Sequence, residues 1–221
     1  MTANQPAAPT ERTRVRRRPQ RGHYDRTTID AILDAGFVCH VGYVLDGAPV
    51  VTPTAYWRSG DHVYWHGSRA SRMLSSAAGQ SVCLTVTHVD GLVLARSAFH
   101  HSLNYRSVML FGVAEAVEGP DKLAALRDFV AGLYPGRWET LRPVMEKELK
   151  VTTVLRVAIE EASAKVRTGP PVDDEPDYAL PVWAGVIPLN TVAGAPEPDP
   201  RLASGIPAPD GPLHPRLGFK P

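Results

Sequence analysis

The feature that most restricts this chain is a succession of short runs rich in β-branched and aromatic residues, broken at close intervals by two-residue turn signals. FVCHVGYVL (residues 37–45) meets Asp46-Gly47 and continues as APVVTPTAYWRS (residues 48–59); Gly60-Asp61 then leads into HVYWHG. Such pairs supply the left-handed backbone that tight hairpins need, so these runs form an antiparallel meander. SVCLTVTHV (81–89), a turn at Asp90-Gly91 and LVLARSAF (92–99) predict another hairpin, and YRSVMLFGVAEAVE (105–118) a further strand with a bulge or bend at Gly112. Curling removes the raw edges of such a sheet, so the expected fold is a mainly β barrel of six or more antiparallel strands with a few helices.

The helices frame that sheet. Residues 25–35 place Ile29, Ile32 and Leu33 on one face and stop at Gly36; residues 120–133 start at a proline, and 139–151 read as a helix broken by Pro143. Residues 154–169 begin as a strand, an acidic proline-rich loop follows, and VWAGVIPL (182–189) is apolar again and is expected to close the barrel. The domain therefore spans residues 22–189, between a disordered basic arm (1–21) and a Pro/Gly-rich tail (190–221) expected to be extended or disordered.

One stretch of the meander offers chemistry. In VYWHGSRASRML (63–74) a strand meets Gly67 and opens a helix expected over 69–78, with Ser68 as its N-cap. A helix that starts at a strand end presents unpaired N–H groups and the positive end of its dipole, which suits an anion. Ser68 and Ser71 add hydroxyl donors, and Arg69 and Arg72 add guanidinium forks that match phosphate oxygens. The set reads as a cradle for one terminal phosphate, against the plainer reading of capping serines beside solvated arginines. Neither GxGxxG nor GxxxxGK with Ser or Thr occurs, so this is not a dinucleotide or nucleoside-triphosphate loop.

Charge closes off other classes. With 24 Lys+Arg against 23 Asp+Glu, the formal charge of +1 is too small an excess for nucleic acid as the main partner. No window approaches the roughly 20 apolar residues of a spanning helix, which predicts a soluble protein without membrane contact. The run RTRVRRRPQR (12–21) has no apolar core beside it and does not read as a secretory signal. Cys39 and Cys83 form no CxxC pair, so neither a disulfide scaffold nor a structural zinc is expected, and a reducing cytoplasm fits.

Cys39, His40, His66, His100 and His101 invite a metal reading, but neighbours in a strand face opposite ways and no zinc-type spacing is found. A haem needs an axial His or Cys, for which His214 in the tail is a loose candidate. Glu160-Glu161 and Asp173-Asp174 read as solvated acids, and Ser97 and Ser102, near His100 and His101, lack a GxSxG context. No catalytic residue is assigned.

The order of four pieces, VVTPTAYW, YWHGSRASRM, RSAFHHSLNYRSVMLFG and VWAGVIPL, resembles the pyridoxamine-phosphate-oxidase-like, FMN-binding split β-barrel superfamily, in its flavin-nucleotide-binding or nitroimidazole-resistance-like branch. The resemblance implies a split barrel that binds FMN at a homodimer interface. It sets Thr52, Pro53, Thr54 and Ala55 beside the isoalloxazine, and His66, Gly67, Ser71 and Arg72, with Ser68, at the phosphate. Met73 stands where members often carry a lysine, which leaves neutralisation to Arg72 and Arg69. Asn104, Tyr105, Arg106, Ser107 and Trp183 would reach the flavin from the neighbouring subunit. The implied activity is an FMN-dependent oxidoreductase acting on a small molecule, with NAD(P)H as a candidate electron donor and His40, His100 or Tyr105 as proton sources. The alternatives are a non-catalytic flavin-storage protein, or the same barrel holding F420 or haem. The tail HPRLGFKP departs from the substrate-clasping segment of true pyridoxamine phosphate oxidases.

Overall fold

The structure, a computed structural model, describes residues 9–209. In chain order its elements are β1 (Gly22–His23), α1 (Arg26–Asp34), β2 (Val38–Leu45), β3 (Ala48–Ser59), β4 (His62–Ser68), α2 (Arg72–Ala77), β5 (Ser81–Leu94), β6 (Ser102–Val113), β7 (Glu115–Ala116), α3 (Gly119–Leu133), α4 (Glu146–Val151), β8 (Thr152–Ala158), β9 (Glu161–Arg167) and β10 (Gly185–Pro188). The strands pair in the order β1-β9-β6-β5-β2-β3-β4-β8-β7, with β10 added to β5. Because β8 and β9 follow each other in the chain, the two ends of this path come together and the sheet curls around Val41, Trp65, Leu84, Leu110 and Leu155. The result is the mainly β, antiparallel barrel expected.

Local chemistry explains the outer pieces. Asp25 caps α1 by accepting the Thr28 N–H at 2.8 Å, and the helix buries Ile29, Ile32 and Leu33 in the barrel core. The Asp46-Gly47 turn has φ of 50° and 79°, the doubly left-handed form that joins β2 to β3. On the opposite side α3 covers a second, smaller core of Trp57, Val117, Ala125 and Val154, with Phe129 against it.

Several expectations are corrected. Asp90-Gly91 is not a hairpin turn but a bulge inside the 14-residue β5. Gly91 is absent from the positive-φ glycines; its bare Cα instead lets β10 approach, since a Cβ there would stand 2.9 Å from Val186 Cγ1. Asp90 is held across the sheet by two 2.9 Å hydrogen bonds donated by Arg106. Gly112 makes no bulge: it stays in register opposite Val82 and gives room to Val157. The helix expected from residue 69 starts at Arg72 behind Ser71, because Ser68 ends β4 and its oxygens accept the N–H groups of Ala70 and Ser71 in a turn. VWAGVIPL does not close the barrel. It supplies β10, which extends the sheet along β5 residues 91–94, beyond the part that β2 pairs.

The arm is placed differently as well. From Pro9 onward it lies on the barrel: Thr13 is buried, the Tyr24 hydroxyl accepts from Val15 N at 2.9 Å, and Arg12 pairs with Glu161 while covering the Phe111 ring at 5.1 Å. Residues 190–209 form no helix or strand and are exposed. His214 and the rest of residues 210–221 lie outside the described residues, as do residues 1–8.

Candidate functional site

The site begins where two strands part. β3 pairs with β4 only from Tyr56↔Trp65 to Ser59↔His62, although both strands run on past that point. β4 continues to Ser68 against β8, whereas β3 residues 48–55 continue against β2. A gap therefore opens between Thr52–Pro53–Thr54–Ala55 on one side and Gly67-Ser68 on the other, and among the described residues one backbone edge of residues 52–55 has no strand partner. Unpaired backbone donors and acceptors at a concave opening are what a planar heteroaromatic ligand can use. Pro53, which cannot donate, sits on this edge as prolines in strands do. Thr52 and Thr54 face the barrel side, with Thr52 Oγ1 3.4 Å from the Tyr43 hydroxyl, while Pro53 and Ala55 face outward and are exposed.

At the far side of the gap the cradle residues separate by direction. Gly67 packs on Leu74 of α2; a Cβ there would meet Leu74 Cδ1 at 3.1 Å. Among the described residues, the Ser71 hydroxyl caps nothing and the exposed Arg72 guanidinium has no side-chain partner, so both remain available to a ligand. Ser68 Oγ is used within its own turn. His66 is not part of the cradle. Strand alternation turns its ring under α3, 4.5 Å from Phe129 and 5.6 Å from Trp57, where burial holds its pKa below the ordinary value and, among the described residues, Nδ1 has no hydrogen-bond partner. Arg69 also points away, lining a cavity of about 370 Å³ with Lys122, Lys150 and Thr153. Sequence reasoning missed these last three, because they come from separate elements and match no motif.

The remaining candidates lie elsewhere. Asn104, Tyr105, Arg106 and Ser107 are on β6, which is three strand spacings from β3, roughly 14 Å. One chain does not bring them to the gap. Three of the side chains are engaged internally: Asn104 bonds Gly169 O at 3.1 Å and accepts from Arg167, Arg106 holds Asp90, and Ser107 donates to Lys165 O at 3.3 Å. Tyr105 is half-buried on the outer face of the sheet. Trp183 is 64% exposed and lies over Gly185, where a Cβ would come within 2.9 Å of its ring.

Burial pushes the Cys39 thiol up to about 12, which makes it inert as a nucleophile or thiolate ligand. His88 is bonded to Ile32 O at 3.0 Å, and His100 lies 3.5 Å from Asp174. His101 donates from Nδ1 to Ser97 O at 2.9 Å, and among the described residues its Nε2 has no partner on an exposed side chain. Asp173 is no solvated acid: it is buried and accepts both the backbone N–H and the guanidinium of Arg96. Among the described residues no group of three or more His, Cys, Asp or Glu is placed to hold a metal ion, and no helix is long and apolar enough to cross a membrane.

Comparison with known proteins gives this geometry its setting. The flavocytochrome Anf3 from Azotobacter vinelandii is 53% identical, with 93% of this chain and 96% of that chain covered at a TM-score of 0.88. The FAD and haem binding protein from Mycobacterium smegmatis is 38% identical, with 86% and 94% covered at a TM-score of 0.83. A candidate 5-nitroimidazole antibiotic resistance protein from Bacteroides thetaiotaomicron, at 23% identity and a TM-score of 0.54 over 66% and 86%, shares the fold. A search of curated proteins gives no match. The family model described as pyridoxamine 5'-phosphate oxidase matches residues 25–166, a span that runs from the cap of α1 through both walls of the gap to β9. Since that span is more than half of the chain, this protein belongs to the pyridoxamine 5'-phosphate oxidase family.

Proposed function

We propose that this chain is a flavin- and haem-binding oxidoreductase that works as a homodimer, with FAD as its flavin in place of the FMN expected from a single cradle. The observation that carries the flavin reading is the gap between β3 and β4, with the unpaired backbone edge of residues 52–55 on one wall and the uncommitted donors of Ser71 and Arg72 on the other. FAD and haem are favoured over FMN alone because two relatives above 30% identity are a flavocytochrome and a protein described as binding FAD and haem.

The residues present fit both groups. Backbone groups of residues 52–55 would hold and tune the flavin ring, and Ser71 with Arg72 its phosphate. A haem-ligating imidazole is best oriented when its other nitrogen is tied to a carbonyl, which is the state of His101; His40, exposed on β2, is another candidate. When bound, the flavin supplies two-electron and the haem one-electron chemistry. The homodimer is supported by the outer face of the sheet, where Val38, Val44 and Val51 are 54%, 62% and 64% exposed beside Pro53 and Met109. A second copy on this face would offer residues 104–107 and Trp183 a route to the gap of the other copy.

The test is to purify the full chain, record its visible spectrum before and after anaerobic addition of NADH or NADPH, and identify the released flavin by mass. Flavin bands together with a haem Soret band that shifts on reduction are expected, with the Soret band lost in His101→Ala or in His40→Ala. A chain that stays colourless after reconstitution with FAD and haemin sinks the reading.

A further inference from the structure

The cavity behind Arg69 is a site of its own. It is lined by Arg69, Lys122, Lys150, Thr153, Glu118 and Glu146, and its volume of about 370 Å³ lies within the roughly 300–1,000 Å³ range of small-molecule sites. Lys122 decides its character. The Lys122 side chain is 10% exposed, and its nearest carboxylate, Glu118, stands 3.6 Å away on a side chain that is 74% exposed. An ammonium so nearly buried costs free energy unless its donors are met, and 3.6 Å is too long for a hydrogen bond. Lys122 itself lines the cavity. Glu146 is bound to Lys150 at 2.6 Å and is 80% exposed, so both acids are rim residues, each matched by one lysine. Arg69 is then the uncompensated charge: among the described residues its guanidinium has no acidic partner, and its backbone N–H is fixed to Val151 O at 2.7 Å. The 15-residue α3 adds its N-terminus at Gly119, with no side chain capping it.

We infer that this cavity binds the phosphoryl group of a nucleotide, with Lys122 and Arg69 as its anchors and the α3 N-terminus behind them. Two sources share that chemistry, the adenylyl half of FAD and a free adenine nucleotide. The first rests on the flavin reading above and on chain proximity, since Arg69 is two residues before Ser71. The second stands without it.

The test measures affinities of FAD, FMN and riboflavin by flavin exchange on the full chain, and of AMP and inorganic pyrophosphate by calorimetry on the protein as purified. Lys122→Met keeps the buried stem and removes the charge; Arg69→Gln, on an exposed loop, serves if the first fails to fold. If FAD is the source, both variants weaken FAD by about 10- to 100-fold, the loss of a charge-assisted hydrogen bond, with riboflavin unchanged and FMN nearly so. If a free nucleotide is the source, FAD and FMN bind alike, and AMP or pyrophosphate binding falls by the same factor in the variants. Variants that change neither FAD nor AMP nor pyrophosphate affinity overturn the inference. A chain that binds no flavin at all would refute the function proposed above and still leave this site to be decided by AMP and pyrophosphate.

Discussion

Removing the Arg72 guanidinium isolates the phosphate half of the proposed flavin site. Arg72 is the first residue of α2, exposed and without an ion pair among the described residues, whereas the helix is held by buried Met73, Leu74 and Ala77. Arg72→Ala should therefore leave folding stability within about 0.5 kcal/mol. A charge-assisted hydrogen bond is worth about 1.5–3 kcal/mol, so the same change should weaken FMN and FAD by about 10- to 100-fold. Binding is not abolished, because the Ser71 hydroxyl and the backbone N–H groups at the start of α2 remain. Riboflavin has no phosphate and should bind variant and wild type alike; a disturbed site would weaken all three ligands together. Affinities come from flavin fluorescence quenching at one fixed salt concentration, since the interaction is exposed and screened. If Arg72→Ala binds FMN as wild type does, the phosphate lies elsewhere and the cradle argument fails.

Other outcomes follow from packing and charge. Gly112→Ala should cost about 1–3 kcal/mol in a denaturant titration, since its Cβ would stand 2.5 Å from Val157 Cγ2, and Val157→Ala should return part of that loss. His66, whose folded pKa is lowered by burial, binds fewer protons than in the unfolded chain, so stability is lost as pH falls through about 6.5; His66→Phe should flatten the curve between neutral and mildly acidic pH. An unchanged slope would mean that the ring is hydrated. Cys39 should resist alkylation at neutral pH until the protein unfolds, which mass spectrometry reads directly. Val51→Asp, on the exposed outer face, should convert a dimer to a monomer in light scattering at micromolar concentration, and a wild type that is already monomeric refutes the homodimer.

What could be read in advance was local. The Ile29, Ile32 and Leu33 face of α1 and the Asp46-Gly47 turn each depend on residues within a few positions, and both are found where sequence spacing puts them. Asp90-Gly91 carries the same dipeptide signal as Asp46-Gly47 and yet makes a bulge. The difference is long-range: Arg106 on the next strand grips the Asp90 carboxylate, and β10, about a hundred residues away in the chain, lies along the bare Cα of Gly91. Composition likewise made the arm look disordered, because Arg12 does not reveal that Glu161 and the Phe111 ring will lie beneath it.

The candidate site divides along the same line. Residues 52–55 and 66–72 could be singled out because each wall of the gap is one continuous segment, but a segment does not state which way its side chains turn. The pleat sends His66 under α3 and Gly67 against Leu74, so one residue of the pair leaves the cradle as a direct consequence of the period of two. The cavity beyond Arg69 draws on β4's end, the start of α3 and the α4–β8 junction, segments brought together only because β4 abandons β3 and runs on along β8 to Ser68↔Thr152. The same parting of strands that leaves residues 52–55 with an open edge thus positions Arg69 beside Lys122. A substitution that forced β3 and β4 to stay paired past Tyr56↔Trp65 would close the gap and pull Arg69 from the cavity at once, so the two sites are coupled through backbone register and not through any side chain they share.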